Sequence, residues 1–379
     1  MRICVDASPA VHHRAGLGRY AQELITALIA VDPANEYVAF YNRPSEAQVD
    51  PPLDRLPHLT TNLPNKPWRM SVLLAHFAHL PQDRLFPGVD LFHATDHLLP
   101  RLSQAKSVFT LHDLVFRFYP ETHMPLNRWF LTLMMPRFLQ AADAVIAVSE
   151  CTKRDAIRLY GVDESKIRVI YEGVNPRFRP ATPEAISAVR QKHGLPEHFI
   201  LSVGTIEPRK NLDTLLEAYC ALRHRETQCK LVIVGKKGWL YHGFFRRLRE
   251  LGLEDEVIFP GFVPDEDLPA LYSAADLFIF PSLYEGFGLP PLEAMACGAP
   301  VITSDASSLP EVAGEAALLV DPKSVEVVAR AMRSVLENKE LRDRLRAKGP
   351  TQAAKFTWES AARETLAVYA SILELAGFG

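Results

Sequence analysis

The chain lacks the usual marks of a secreted, metal-bound, membrane-spanning or nucleic-acid-binding protein. Cysteine is scarce. The five residues Cys4, Cys151, Cys220, Cys229 and Cys297 stand far apart and never form a C-x-x-C pair. This spacing argues against a disulfide framework or a cysteine zinc site and leaves reduced, mostly buried thiols as the expectation. No run of 18 apolar residues occurs, so no helix is expected to span a membrane. The opening MRICVDASPAVHH has one early Arg, a short apolar run and then Asp6. That is not the layout of a secretory signal, and the expected compartment is the cytoplasm. With 42 Lys and Arg against 45 Asp and Glu, the net charge of −3 provides no overall basic surface for nucleic acid. His12 and His13 have no partner at metal-ligand spacing. Asp265-Glu-Asp267 has the outline of a D-x-D motif but reads as an acidic helix N-terminus. No bound metal is expected.

What is present is a rhythm. Short runs rich in Val, Ile and Phe alternate with longer helical patterns along all 379 residues, a length that suits two domains. Strands fit Arg2–Asp6, Tyr37–Tyr41, Leu91–Ala94, Ser107–Leu111, Ala144–Val148 and Ile167–Tyr171, then Phe199–Gly204, Lys230–Gly235, Val257–Phe259, Leu277–Pro281, Pro300–Ser304 and Ala317–Val320. Runs that are apolar throughout, instead of alternating, imply strands covered on both faces, as in parallel sheets. Repeated βα units therefore predict an α/β fold of two doubly wound, Rossmann-like domains. The polar, proline-rich stretch Asn175–Pro183 interrupts the periodicity and marks a boundary, giving domains 1–178 and 179–357.

In open α/β sheets ligands bind beyond the carboxyl ends of strands. Four segments follow a strand in this way. In Phe278–Ser304, a loop with Glu285, Gly286 and Gly288 leads into a helix whose first turn suits Pro290 and Pro291. Its N-terminus can meet an anion. Glu285 in the loop and Glu293 in the first turn suit sugar or ribose hydroxyls; the alternative is a solvated loop residue and a dipole partner. In VGTIEPRKN, the adjacent Arg209 and Lys210 can neutralise a diphosphate leaving group or form a solvated basic turn. Gly16 and Gly18 of GLGRY fit close backbone approach to a ligand or a plain turn. His112 of FTLHD fits either a substrate hydrogen bond or a structural His held by a backbone carbonyl. Two further stretches, Gly238–Leu253 and Trp129–Leu139, are candidates for peripheral contact with a membrane or partner, or for covered helices.

With these elements in place, the chain resembles, over nearly its full length, the retaining glycosyltransferases of the two-domain GT-B fold, family 4 (glycosyltransferase group 1). The likeness is carried by Glu285-Gly-Phe-Gly-Leu-Pro-Pro-Leu-Glu293, an E-x7-E pattern flanked by Phe280-Pro281-Ser282 and Gly298-Ala-Pro-Val-Ile302. The resemblance implies that Glu285 holds donor-sugar hydroxyls and that Phe287, Gly288 and Leu289 offer backbone contacts. Glu293 would bind the ribose, Arg209 and Lys210 the diphosphate, and Gly16 and Gly18 the phosphates or the acceptor. His112 would stand beside the transferred sugar, in a cleft between the domains. A helix at 358–379 would cross back to the first domain. Many members carry Arg where this chain has Thr205, so the diphosphate rests more on Arg209 and Lys210. V-G-T-x-E-P-R-K-N, with GLGRY and TLHDL, is most similar to GDP-mannose-dependent mannosyltransferases of surface polysaccharide assembly.

The expected reaction is transfer of a hexose, mannose from GDP-mannose first, to a glycan or lipid-linked saccharide, with no cofactor beyond the nucleotide sugar. The rivals are a UDP-sugar-dependent glucosyl or N-acetylglucosaminyl transferase, a sugar-nucleotide epimerase of the same fold, and a non-catalytic nucleotide-sugar binder.

Overall fold

A computed structural model describes residues 1–223 and 229–374. Its internal packing divides the chain into two compact units. Unit 1 comprises Met1–Phe118, Pro125–Gly173 and the chain from Thr357 onward; unit 2 comprises Tyr119–Met124 and Val174–Phe356. Val174 N–H donates to the Phe356 carbonyl at 3.0 Å, so the ends of the long unit 2 segment meet.

Unit 1 contains one parallel sheet of seven strands: β1 (Arg2–Asp6), β2 (Glu36–Asn42), β3 (His58–Thr61), β4 (Leu91–Ala94), β5 (Lys106–Leu111), β6 (Ala144–Ala147) and β7 (Ile167–Val169). Their order in space is β3-β2-β1-β4-β5-β6-β7. Val5 of β1 pairs with Ala39 on one side and His93 on the other. The chain builds outward from β1 through β2 and β3, then resumes at β4 on β1's other side, so the direction reverses between β1 and β4. The helices are α1 (Ser8–Val11), α2 (Ala15–Val31), α3 (Asn65–Phe77), α4 (Val115–Phe118), α5 (Pro125–Ala141) and α6 (Glu150–Tyr160). Phe40, Phe92, Phe109 and Phe138 lie in the unit 1 core.

Unit 2 repeats the plan with six strands: β8 (Phe199–Val203), β9 (Lys230–Val234), β10 (Val257–Ile258), β11 (Leu277–Phe280), β12 (Val301–Ser304) and β13 (Ala317–Val320), in the order β10-β9-β8-β11-β12-β13. The reversal falls between β8 and β11, where Ile200 pairs with Leu277. Its helices are α7 (Pro183–His193), α8 (Leu212–Arg223), α9 (His242–Glu250), α10 (Leu268–Ala274), α11 (Leu289–Ala296), α12 (Leu309–Ala313), α13 (Val325–Glu337) and α14 (Lys339–Ala353). Thr182, Ser324 and Asn338 cap α7, α13 and α14 with side-chain oxygens, satisfying N–H groups that the helix itself cannot. Asp267 takes the N-cap position of α10 without capping it; its carboxylate pairs with Lys192 and His193.

The last helix, α15 (Trp358–Glu374), belongs to unit 1 and packs on α2. Tyr369 Oη meets Nδ1 of the buried His93 at 2.6 Å, and His93 Nε2 meets Thr110 Oγ1 at 2.7 Å. Positions 375–379 of the expected 358–379 helix lie outside the described residues. No helix among the described residues is long and apolar enough to cross a membrane. The segment Gly238–Leu253 forms the amphipathic α9, with Phe244 and Leu248 buried and Arg247 paired to Glu217 and Glu250.

Candidate functional site

The reversal in unit 2 brings two loops together. One leaves β8 and carries Arg209 and Lys210 in a short 3-10 turn, Pro208–Lys210, closed by Asn211 in the left-handed conformation. The Asn211 side chain ties this turn to the neighbouring strand exit, donating to the Pro281 carbonyl at 3.1 Å and the Pro322 carbonyl at 2.6 Å. The other loop leaves β11 and carries Glu285.

The charged groups of these loops form one cluster. Lys210 Nζ donates to Glu285 Oε1 at 2.7 Å, and Arg209 Nη1 donates to Glu285 Oε2 at 2.5 Å. Arg209 Nε and Nη2 both reach Glu207 Oε1, at 3.1 and 2.6 Å. Ser282 Oγ donates to Glu285 Oε1 at 2.5 Å. Lys210 Nζ also lies 4.7 Å from the ring centroid of Phe280, a cation–π contact. Burial alone would raise the Glu285 carboxyl, but the Arg209 and Lys210 charges outweigh it and hold the group down to about 2. Burial, with Arg209 beside it, pushes the Lys210 ammonium below its ordinary value. Two cations face two carboxylates, so the cluster is neutral overall. A strong anion entering beside Arg209 and Lys210 would compete with Glu285 and Glu207 for them. Glu285 accepts twice on Oε1 and once on Oε2, which leaves Oε2 able to take one more hydroxyl.

Serines following β12 brace the β11 loop. Glu285 N–H donates to Ser307 Oγ at 2.9 Å, and Ser308 Oγ donates to the carbonyls of Glu285 and Phe287 at 2.9 and 2.7 Å. Gly286, Phe287, Gly288 and Leu289 are buried, and the Phe287 ring packs edge-on against Phe356 at 5.7 Å. Gly288 is the N-cap of α11 with φ 124°, a conformation that L side chains rarely adopt. Because the helix begins at Leu289, its second and third positions are prolines without N–H. The donors retained at this helix start are the amides of Gly288 and Leu289.

One expectation needs correcting. Glu293 is the fifth residue of α11, not a first-turn residue. It is 2% exposed and accepts from Tyr272 Oη at 3.0 Å. Gly16 and Gly18 lie in the first turn of α2. Gly18 is there for packing, since a Cβ would stand 2.7 Å from the Pro9 carbonyl oxygen of α1, whereas Gly16 faces open space. His112 is held at both ring nitrogens. Nε2 donates to the Thr95 carbonyl at 2.9 Å and Nδ1 lies 3.6 Å from Glu172 Oε1. Burial opposes protonation of this ring, but the Glu172 carboxylate prevails and raises its pKa. Tyr20 packs edge-on at 4.7 Å, and its hydroxyl meets Thr110 Oγ1 at 3.0 Å.

Sequence reasoning missed Glu207, Ser282 and Glu172 as partners, and the Arg14–Asp96 ion pair across the β1–β4 reversal. Glu207 stood inside the motif already singled out; Glu172 and Asp96 carried no local signal. Among the described residues no group of three or more His, Cys, Asp or Glu could hold a metal ion.

Two doubly wound parallel sheets, the second with a cation–carboxylate cluster where its direction reverses, define a glycosyltransferase of the GT-B fold. Residues 14–178 match the family model "Glycosyltransferase Family 4" and residues 186–352 match "Glycosyl transferases group 1". The chain belongs to this family. It is 31% identical to O-antigen chain mannosyltransferase B of Escherichia coli, over 97% of this chain and 99% of that protein. It is 34% identical to the serotype-specific mannosyltransferase WbdA of Escherichia coli, over 71% of this chain but 34% of that protein. Sucrose-phosphate synthase from Thermosynechococcus elongatus shares the fold, with a TM-score of 0.81 at 24% identity, over 99% of this chain and 100% of that one.

Proposed function

We propose that this glycosyltransferase transfers mannose from GDP-mannose to a glycan or lipid-linked saccharide, with retention at the anomeric carbon. The observation that carries the reading is the Arg209–Lys210–Glu285 cluster at the β8–β11 reversal. The full-length likeness to a mannosyltransferase of O-antigen chains supports the choice of sugar. On this reading the donor diphosphate displaces part of the carboxylate contact to Arg209 and Lys210. Glu285 then turns its remaining acceptor capacity to a sugar hydroxyl. The acceptor hydroxyl forms a bond to the anomeric carbon on the face from which the diphosphate departs. The bond from that carbon to the β-phosphate oxygen breaks, and the acceptor proton passes to the departing phosphate. The protein contributes position and charge stabilisation, with no strong base and no metal.

The test is a thermal-stabilisation screen with GDP-, UDP- and ADP-sugars, followed by product analysis with and without a saccharide acceptor and with EDTA. The reading expects GDP-mannose to stabilise the protein most and transfer to survive EDTA. Stabilisation by a UDP-sugar alone would sink the mannose assignment. Conversion of the donor without acceptor would reveal an epimerase, and binding without turnover a sensor.

A further inference from the structure

Unit 1 carries a surface unlike the sites above. Helices α3 and α5 lie side by side. Arg69 of α3 donates to Asn127 of α5 at 2.9 Å and lies 4.0 Å from the Phe130 ring centroid, and Arg137 of α5 lies 4.1 Å from that of Phe77. Their inner residues, among them Trp68, Val72, Met134 and Phe138, belong to the unit 1 core. Their outer residues are also apolar. Met70, Leu74 and Phe77 recur at helical spacing along α3 and are 50%, 57% and 45% exposed, and Leu80 follows at 61%. On α5, Leu126 is 72% and Trp129 54% exposed. Scattered exposed apolar residues are ordinary, but five on two adjoining helices, with Leu80 just beyond α3, form a patch.

The charge of this patch is one-sided. In a chain with 45 Asp and Glu, neither type occurs from residue 60 to 82 or from 122 to 142. Those stretches hold Lys66, Arg69, Arg128 and Arg137. Arg137 joins Arg101, His76, His79 and Phe77 around a surface cavity of about 450 Å³. Among the described residues, none of these five Lys and Arg side chains is in an ion pair. In α9, by contrast, carboxylates of the same unit answer Arg247. The cavity lies where α3 and α5 end, before β6 begins, at the amino edge of the sheet. His112 and the Arg14–Asp96 pair lie at the carboxyl edge, so the cavity is no part of that site.

We propose that the α3–α5 face docks on an anionic phospholipid bilayer. The apolar stripe and Trp129 would enter the boundary between headgroups and acyl chains, and Arg101 and Arg137 would hold lipid phosphates in the cavity. A second copy of the chain is a poorer occupant, because a two-fold contact would set this cationic patch against itself. The inference is independent of the donor assignment.

The test is co-sedimentation of the full chain with vesicles of phosphatidylglycerol and phosphatidylethanolamine, and with phosphatidylcholine alone. Binding to the anionic vesicles only, weakening with salt, is expected. Leu74→Ser with Phe77→Ser, and separately Arg101→Ser with Arg137→Ser, should each weaken it roughly tenfold or more; Arg101→Lys with Arg137→Lys should keep most of it. Because the chain has four tryptophans, Trp129 is read by difference: emission should shift to the blue on adding the anionic vesicles in the wild type, and the shift should be lost in Trp129→Phe. No binding to anionic vesicles at low salt would overturn the proposal. So would binding indifferent to both double variants, or a dimer in solution that Leu74→Ser with Phe77→Ser dissociates. Saturation of the cavity by inorganic phosphate without vesicle binding would assign the site to a free anion and overturn the lipid docking.

Discussion

Lys210 and Glu285 stand 75 positions apart in the chain, yet Nζ and Oε1 meet at 2.7 Å. The contact exists because β8 and β11 are neighbours in the sheet, so the loops leaving them share one edge. It joins the charge suited to a phosphate with the carboxylate suited to a sugar.

The two residues should therefore fail differently. Lys210→Ala removes a charge-assisted donor, and GDP affinity should fall roughly 10- to 100-fold. Glu285→Gln removes the competing carboxylate, so GDP should bind no more weakly while sugar transfer falls about a hundredfold or more. Calorimetry with GDP beside steady-state kinetics checks both. Equal losses of GDP affinity in the two variants would contradict the division of roles.

Gly16 and Gly18 separate in the same way. Gly18→Ala should destabilise unit 1 by about 1–3 kcal/mol, because its Cβ meets the Pro9 carbonyl. Gly16→Ala meets no atom within 4 Å and should leave the melting temperature unchanged or raised. A loss of transfer in Gly16→Ala without loss of stability would mark Gly16 as a ligand contact; full activity would remove it from the site.

His112 should titrate above the ordinary histidine value, and Glu172→Gln should bring it down, since burial would then act without its counter-charge. The raised value means that the imidazolium's contribution to stability is present below about pH 6.5 and fades as pH rises through the folded-state value. Imidazole nitrogen chemical shifts followed against pH in both proteins report the change. Identical titrations would show that Glu172 does not set the charge.

Glu285 has the opposite sign. Its carboxyl is held at about 2, below the ordinary 4.5. The stability it contributes is complete above pH 4.5 and is lost as pH falls from there toward 2. Between pH 6 and 3.5 the wild type should lose more unfolding free energy than Glu285→Gln, measured by urea denaturation.

The central strands were legible because runs such as Leu277–Phe280 are apolar on both faces. The edge strand β3 has the sequence His-Leu-Thr-Thr, half exposed, and offered no such run. Helix α3 hid behind Pro67, and α14 behind a polar surface and an internal Gly349-Pro350. Within the site, Arg209, Lys210 and Glu285 were legible as strand-exit residues, but their contact was not. It depends on which strands are neighbours, and residue order does not state that. Glu293 was misplaced because the helix begins at Leu289, which carries the glutamate past the first turn to Tyr272.

Helix α15 gives residues 358–374 a duty toward α2 and β4, which lie far earlier in the chain. A nonsense mutation shortly before Trp358 would leave unit 2 nearly whole, yet it would strip α2 of its cover and His93 of the Tyr369 phenol. The loss would thus be felt around Tyr20 and His112, more than 200 positions away along the chain.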